Sequence, residues 1–250
     1  MTSAELVHRA DKDGVAVLTL DSPHNRNALS RDLVAQLSAH LSDLSDTDDV
    51  RAVLIRSSTR VFCSGADLAE ARTADMVEHA RGLIALQRTL AEVPVPVVVR
   101  LDGPVRAGGL GLVASADIVV CRASVTFALT EVRLGLVPAV ISIPLLERLP
   151  SRVAADWFLT GRTITAIEAA TAGLVTTVCA DENTATDAAV ESVLTDLRAG
   201  QRQGLVEAKV LLNARLLAAY DDRGEAMAQL SGRLFQSPLA QAAMAAFRRG

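Results

Sequence analysis

"PVPVVVRLDGPVRAGGLGLVASADIVVC", residues 94–121, carries the pattern that decides the fold. Two prolines close off what precedes it, and the β-branched run at 96–103 reads as a strand. The small residues at 108–116 read as a short helix, and 117–121 returns to strand. "AGGLG" lacks the GxGxxG spacing, so this glycine-rich turn is not a dinucleotide fingerprint.

The same alternation continues in both directions. "GVAVLTL" (14–20) and "RAVLIRS" (51–57) read as strands. Between them, Leu33, Leu37, Leu41 and Leu44 fall at helical spacing behind Ser30, a natural N-cap. A long amphipathic helix is expected at 74–93, stopped by Pro94 and Pro96. After residue 121 come a short strand at 124–129, helices over 139–172 and a last strand at 173–179. Residues 183–250 read as Ala- and Leu-rich helices, with breaks expected near Gly200, Gly204, Gly224 and Ser237-Pro238. The expectation is an α/β fold, its core over 1–195 and a helical C-terminal packing region over 196–250.

Composition narrows the function classes. Half of the 250 residues are apolar, and no apolar run reaches the length of a membrane span. The first residues are charged and lack a signal-length apolar core, which points to a cytoplasmic protein with no membrane partner. Cys63, Cys121 and Cys179 are odd in number and widely spaced, and the four histidines form no ligand spacing, so neither disulfides nor a metal is expected. A net charge of −4 and 3% aromatics give no nucleic-acid surface. There is no GxSxG for a serine hydrolase.

"VFCSGADL" (61–68) narrows to Ser64-Gly65-Ala66 before Asp67. Such a turn suits a helix start, with Asp67 as cap, or the presentation of bare backbone N–H groups to an anionic oxygen. Together with 94–121 it resembles the crotonase superfamily, the enoyl-CoA hydratase/isomerase family. "DSPHNRNALSRDL" (21–33), "VTFALTEVRLGLVP" (125–138) and "LTGRTITAIEAATAGLVTTV" (159–178) agree with that family in order and spacing. The wording "GLGLVASADI" followed by "FALTEVRLGLVPAVIS" is similar to its methylglutaconyl-CoA-hydratase-like members.

The resemblance implies a crotonase-like spiral of ββα units with a C-terminal α-helical region. It implies an acyl-CoA thioester as substrate, so coenzyme A enters as part of the substrate and no separate cofactor is needed. The thioester carbonyl would be held by the backbone N–H groups of Ala66 and Gly108, with Glu131 as catalytic acid/base. Arg26 falls near the CoA nucleotide, Ala28 where relatives contact adenine through backbone, and Asp67 and Leu68 beside the thioester. Hydratases of the family typically carry a second glutamate twenty residues before Glu131, and this chain has Gly111 there. Hydration of a 2-enoyl-CoA by one glutamate, Δ3,Δ2-isomerisation by the same group, and non-catalytic acyl-CoA binding are the three resulting readings. Arg106 stands where the family has an apolar or aromatic residue, either facing a substrate carboxylate or reaching solvent. Ala107 replaces a glycine. The family implies a homotrimer or hexamer, and Arg248 or Arg249 would have to replace the lysine-rich tail that contacts CoA in relatives.

Overall fold

Six strands build the main sheet of the computed structural model, which describes residues 4–46, 49–67, 69–70 and 75–247. Leu68, Arg248 and Arg249 lie outside the described residues. The first two strands, β1 (Val7–Lys12) and β2 (Val15–Leu20), form an antiparallel hairpin. Its Asp13-Gly14 turn has positive φ at both residues, the backbone twist a tight hairpin needs. β1 was not expected: its "VHRADK" is polar and largely uncovered, because it is the edge strand.

A helix, α1 (Arg31–Ser42), leads to β3 (Ala52–Ser57), and α2 (Met76–Glu92) leads to β4 (Val97–Leu101). The Ser30 side chain accepts from the Leu33 N–H as expected, and Asp75 caps α2. After the two-residue β5 (Val105–Arg106) come α3 (Gly109–Ser115), β6 (Ile118–Arg122) and β7 (Thr126–Ala128). Helices α4 (Ala139–Arg148) and α5 (Ser151–Thr160) follow, then β8 (Ile164–Thr165), α6 (Ala166–Thr171) and β9 (Thr177–Cys179). The chain closes with α7 (Asn183–Ala199), α8 (Arg202–Phe235) and α9 (Pro238–Phe247).

The main sheet runs β1-β2-β3-β4-β6-β9 and is parallel from β2 onward. Val97, Val98 and Val99 of β4 are all fully buried, as a central parallel strand covered on both faces requires. A second sheet, β5-β7-β8, is separate from it; β5 leads into Gly108 and β7 is followed by Glu131. The α/β architecture with a helical C-terminal region is the one expected.

The long helix α8 corrects the expected breaks at Gly204 and Gly224, because it runs through both. Gly224 is buried in a helix–helix contact, where a Cβ would stand 3.5 Å from Ile84 Cγ2 of α2. The glycine serves close packing, and packing offsets its poor helix propensity. Leu216, Ala219, Tyr220 and Ala228 of α8 join the same apolar cluster as the sheet. One buried ion pair fixes the helix further: Lys209 Nζ lies 2.9 Å from Asp117 Oδ2 and donates to the Leu90 and Val95 carbonyls. Asn213 donates to Asp117 Oδ1, and Asp117 Oδ2 accepts the Val97 N–H at the start of β4. No helix among the described residues is long and apolar enough to cross a membrane.

Candidate active site

Three loops meet at the edge of the two sheets, held by backbone hydrogen bonds between segments distant in sequence. The Phe62 N–H donates to the Pro104 carbonyl at 3.1 Å and the Arg106 N–H to the Cys63 carbonyl at 2.9 Å, pairing Cys63 with Val105. On the other side the Ser64 N–H donates to the Arg26 carbonyl and the Leu29 N–H to the Gly65 carbonyl, at 3.1 and 2.8 Å. The 61–66 loop is therefore clamped between residues 25–29 and residues 104–106.

Asn27 is the knot of this clamp. It is fully buried, accepts the Ser22 N–H at 2.7 Å and donates to Ser57 Oγ at 2.8 Å and to the Val61 and Phe62 carbonyls at 3.2 Å. Arg26 and Asn27 both adopt positive φ, a conformation asparagine tolerates well. Sequence reading did not single out Asn27. The signal was present in "NRNAL" as a turn-prone asparagine beside an apolar run.

Small residues are required where the two inner loops cross. Gly65 has φ of +100°, and a Cβ on it would come within 2.9 Å of the Ala107 Cβ. A Cβ on Gly108 would lie 3.1 Å from Leu29 Cδ1 and 3.6 Å from the Ala66 nitrogen, so the amides of Ala66 and Gly108 stand side by side. Neither N–H has an acceptor among the described residues. Two adjacent unpaired donors form a site for an anionic or strongly polarised oxygen. Gly108 also precedes the first turn of α3. Below the loop, burial pushes the Cys63 thiol up to about 12, which leaves it an inert packing group.

Both residues line a cavity of about 890 Å³, together with Arg26, Ala28, Asp67 and Glu131. The structure thus brings together every site residue read from the sequence that lies within the described residues. Arg26 is exposed at its rim, and Ala28 is buried. Asp67 accepts from Asn25 Nδ2 at 2.9 Å and from the Ala69 N–H at 2.8 Å.

Glu131 opens a short 3-10 turn, Glu131–Leu134, ended by Gly135 in the left-handed region. Its Oε2 is buried and has no hydrogen-bond partner among the described residues. Burial pushes the carboxyl up to about 7, against a smaller opposing effect of its own backbone N–H. An acid held at that value takes and gives protons with nearly equal ease at neutral pH. The lining also includes the apolar Leu83, Leu136, Val140, Ile141 and Phe235. Position 111 offers no second carboxylate: a Cβ there would stand 2.5 Å from Gln87 Nε2 and 2.8 Å from Ile141 Cγ2.

Paired main-chain donors and one buried carboxylate thus share a single cavity, the set that the resemblance to the crotonase superfamily implies. The Enoyl-CoA hydratase/isomerase family model matches residues 10–248, and the chain belongs to that family. The crystal structure of an enoyl-CoA hydratase from Mycobacterium avium is 43% identical and superposes with a TM-score of 0.91, covering 99% of this chain and 97% of that one. A Thermus thermophilus relative, provisionally named an enoyl-CoA hydratase, is 35% identical over 173 residues, 67% of this chain and 68% of its own. The rat enoyl-CoA hydratase domain-containing protein 3 is 31% identical over 184 residues, 71% of this chain but 60% of that longer protein.

Proposed function

We propose that the protein hydrates a 2-enoyl-CoA thioester, with Ala66 and Gly108 as oxyanion donors and Glu131 as the single acid/base. The observation that carries this reading is the buried, unpartnered Glu131 Oε2 in the same cavity as two unpaired amides. The hydratase names of the relatives support it.

In this mechanism the thioester oxygen accepts from both amides. One such donor contributes on the order of 3 kcal/mol to stabilising the charge that develops on the oxygen. Ionised Glu131 takes a proton from water as the oxygen of that water bonds to C3, and the C2–C3 π electrons move into the enolate. Protonated Glu131 then delivers the same proton to C2, so water is added across the double bond and the carboxylate returns. Burial in this largely apolar cavity keeps the carboxylate poorly solvated and therefore basic.

The closed position at Gly111 favours a second reading, Δ3,Δ2-isomerisation. There ionised Glu131 removes a C2 proton from a 3-enoyl-CoA and returns it to C4, with no water consumed. Purified protein given crotonyl-CoA and a 3-enoyl-CoA separates the two. Loss of the ultraviolet absorbance of the conjugated thioester reports hydration, and its appearance from the 3-enoyl ester reports isomerisation. Absence of both changes overturns the enzymatic reading. Self-association into a trimer or hexamer is also proposed, supported by exposed Leu211 and Leu212 on α8.

A further inference from the structure

Arg106 has no counter-charge among the described residues. It lines the cavity and is half-buried, and burial lowers its pKa from the usual guanidinium range. Its bonds run only to neutral acceptors: Nη1 donates to the Val105 carbonyl at 2.9 Å and the Thr126 carbonyl at 2.6 Å, and Nη2 donates to Thr126 Oγ1 at 2.8 Å. No acidic side chain among the described residues pairs with it. Several other partly covered arginines do carry an acid partner. Arg100 and Arg122, for example, both bind Asp102. A desolvated, unpaired cation is costly unless a ligand completes it.

The geometry of those bonds says what is left over. Thr126 occupies the end of the guanidinium, through its carbonyl on Nη1 and its hydroxyl on Nη2. The Nε–H has no partner among the described residues, so the side edge of the fork stays available. That edge binds a carboxylate in this same chain, where Arg9 Nε and Nη2 hold the two oxygens of Asp11 at 2.8 and 2.7 Å. Thr126 fixes the head group beforehand, so little rotamer freedom remains to be lost on binding.

Two anions of an acyl-CoA could meet it, a carboxylate on the acyl chain or a phosphate of the nucleotide. Arg106 is two residues from Gly108, the proposed donor to the thioester oxygen, and its head folds back onto the neighbouring strand β7. The guanidinium therefore stays within roughly 10 Å of that donor by the reach of the chain. The whole pantetheine arm separates the thioester from the first phosphate, so a carboxylate a few carbons along the acyl chain fits the distance better.

We infer that Arg106 binds a carboxylate on the acyl group, so that the preferred ligand is the CoA monothioester of a dicarboxylic acid. The inference rests on the thioester reading above and names the substrate class for that site.

The test is calorimetric binding of glutaryl-CoA and of 5-methylhexanoyl-CoA, its shape-matched neutral counterpart, neither of which can turn over. Wild-type protein is expected to bind glutaryl-CoA at least tenfold more tightly. In Arg106→Leu the ratio of the two affinities should fall to within threefold of one, and Arg106→Lys should restore part of it. Equal wild-type affinities overturn the inference while leaving the thioester site intact. An Arg106→Leu variant that weakens both esters equally also overturns it, and moves Arg106 to the CoA phosphates or to the fold alone. Failure of wild type to bind either ester overturns the thioester reading and this inference with it.

Discussion

Gln87 occupies the space that a side chain at position 111 would need. Its Nε2 stands 2.5 Å from where a Gly111 Cβ would be, and the side chain is fully buried behind the cavity wall. Gln87 Oε1 lies 3.5 Å from the Tyr220 hydroxyl, which pairs at 2.8 Å with Ser115 Oγ, itself donating to the Gly111 carbonyl. The loss of a second acid is thus built into the packing of α2, α3 and α8.

Gly111→Glu is therefore expected to overpack this junction and to lower stability by about 1–3 kcal/mol in urea unfolding. Combining it with Gln87→Ala should recover part of that loss, giving a positive coupling in a double-mutant cycle. Strict additivity of the two changes would show that Gln87 does not fill the place.

Removing the acid is the most direct test of chemistry. Glu131→Gln should reduce kcat by about 10²–10⁴, with a much smaller effect on KM. In wild type, kcat/KM should fall as pH drops through about 7, because the ionised form starts either reaction. A flat profile between pH 6 and 8 would remove Glu131 from the role.

The same carboxyl has a stability signature of opposite sense to an ordinary ion-paired glutamate. Its folded pKa is raised from 4.5 to about 7, so the folded state binds its proton more tightly than the unfolded state. Folding stability attributable to it therefore declines as pH rises from 4.5 towards 7 and is flat above. The shift corresponds to about 3 kcal/mol. Glu131→Gln should be more stable than wild type at pH 8 by an amount of that order, with the advantage shrinking towards pH 5. Denaturant midpoints at the two pH values measure it.

Gly108→Ala probes the amide pair without disturbing the backbone. The residue has φ of −49°, which alanine adopts freely, so the fold should persist. The added methyl would sit 3.6 Å from the Ala66 nitrogen and crowd the space an oxygen would use. A fall in kcat/KM of about 10²-fold is expected, with an unchanged circular dichroism spectrum.

Asn27→Ala should cost about 2–4 kcal/mol, because it strands the Ser22 N–H and the Phe62 carbonyl and keeps a positive φ that alanine resists. Thermal unfolding would show it, and activity should fall with the loosened 61–66 loop.

The outline of the fold was legible because its signals are local. Leu33, Leu37 and Leu41 give a helical period, the valines of β4 a buried strand, and Pro94 and Pro96 a stop. β1 escaped because an edge strand needs no apolar alternation, and Gly224 misled because its neighbour Ile84 lies on another helix. In the site, the glycine turns and Glu131 stood in recognisable segments. Asn27 and Gln87 were not singled out, since the groups to which Asn27 donates lie 30 to 35 residues away and Gln87 faces Tyr220 across 133 residues. What a polar side chain satisfies across such distances is written in the topology, not in its neighbours along the chain.

The pairing of Cys63 with Val105 gives the two amides a common ruler. Their separation is inherited from the spacing between hydrogen-bonded backbones, a dimension set by main-chain atoms. Residues around the cavity can therefore drift towards new acyl groups while the grip on the ester oxygen keeps its gauge. Diversification is cheap on the walls and costly where these two loops cross.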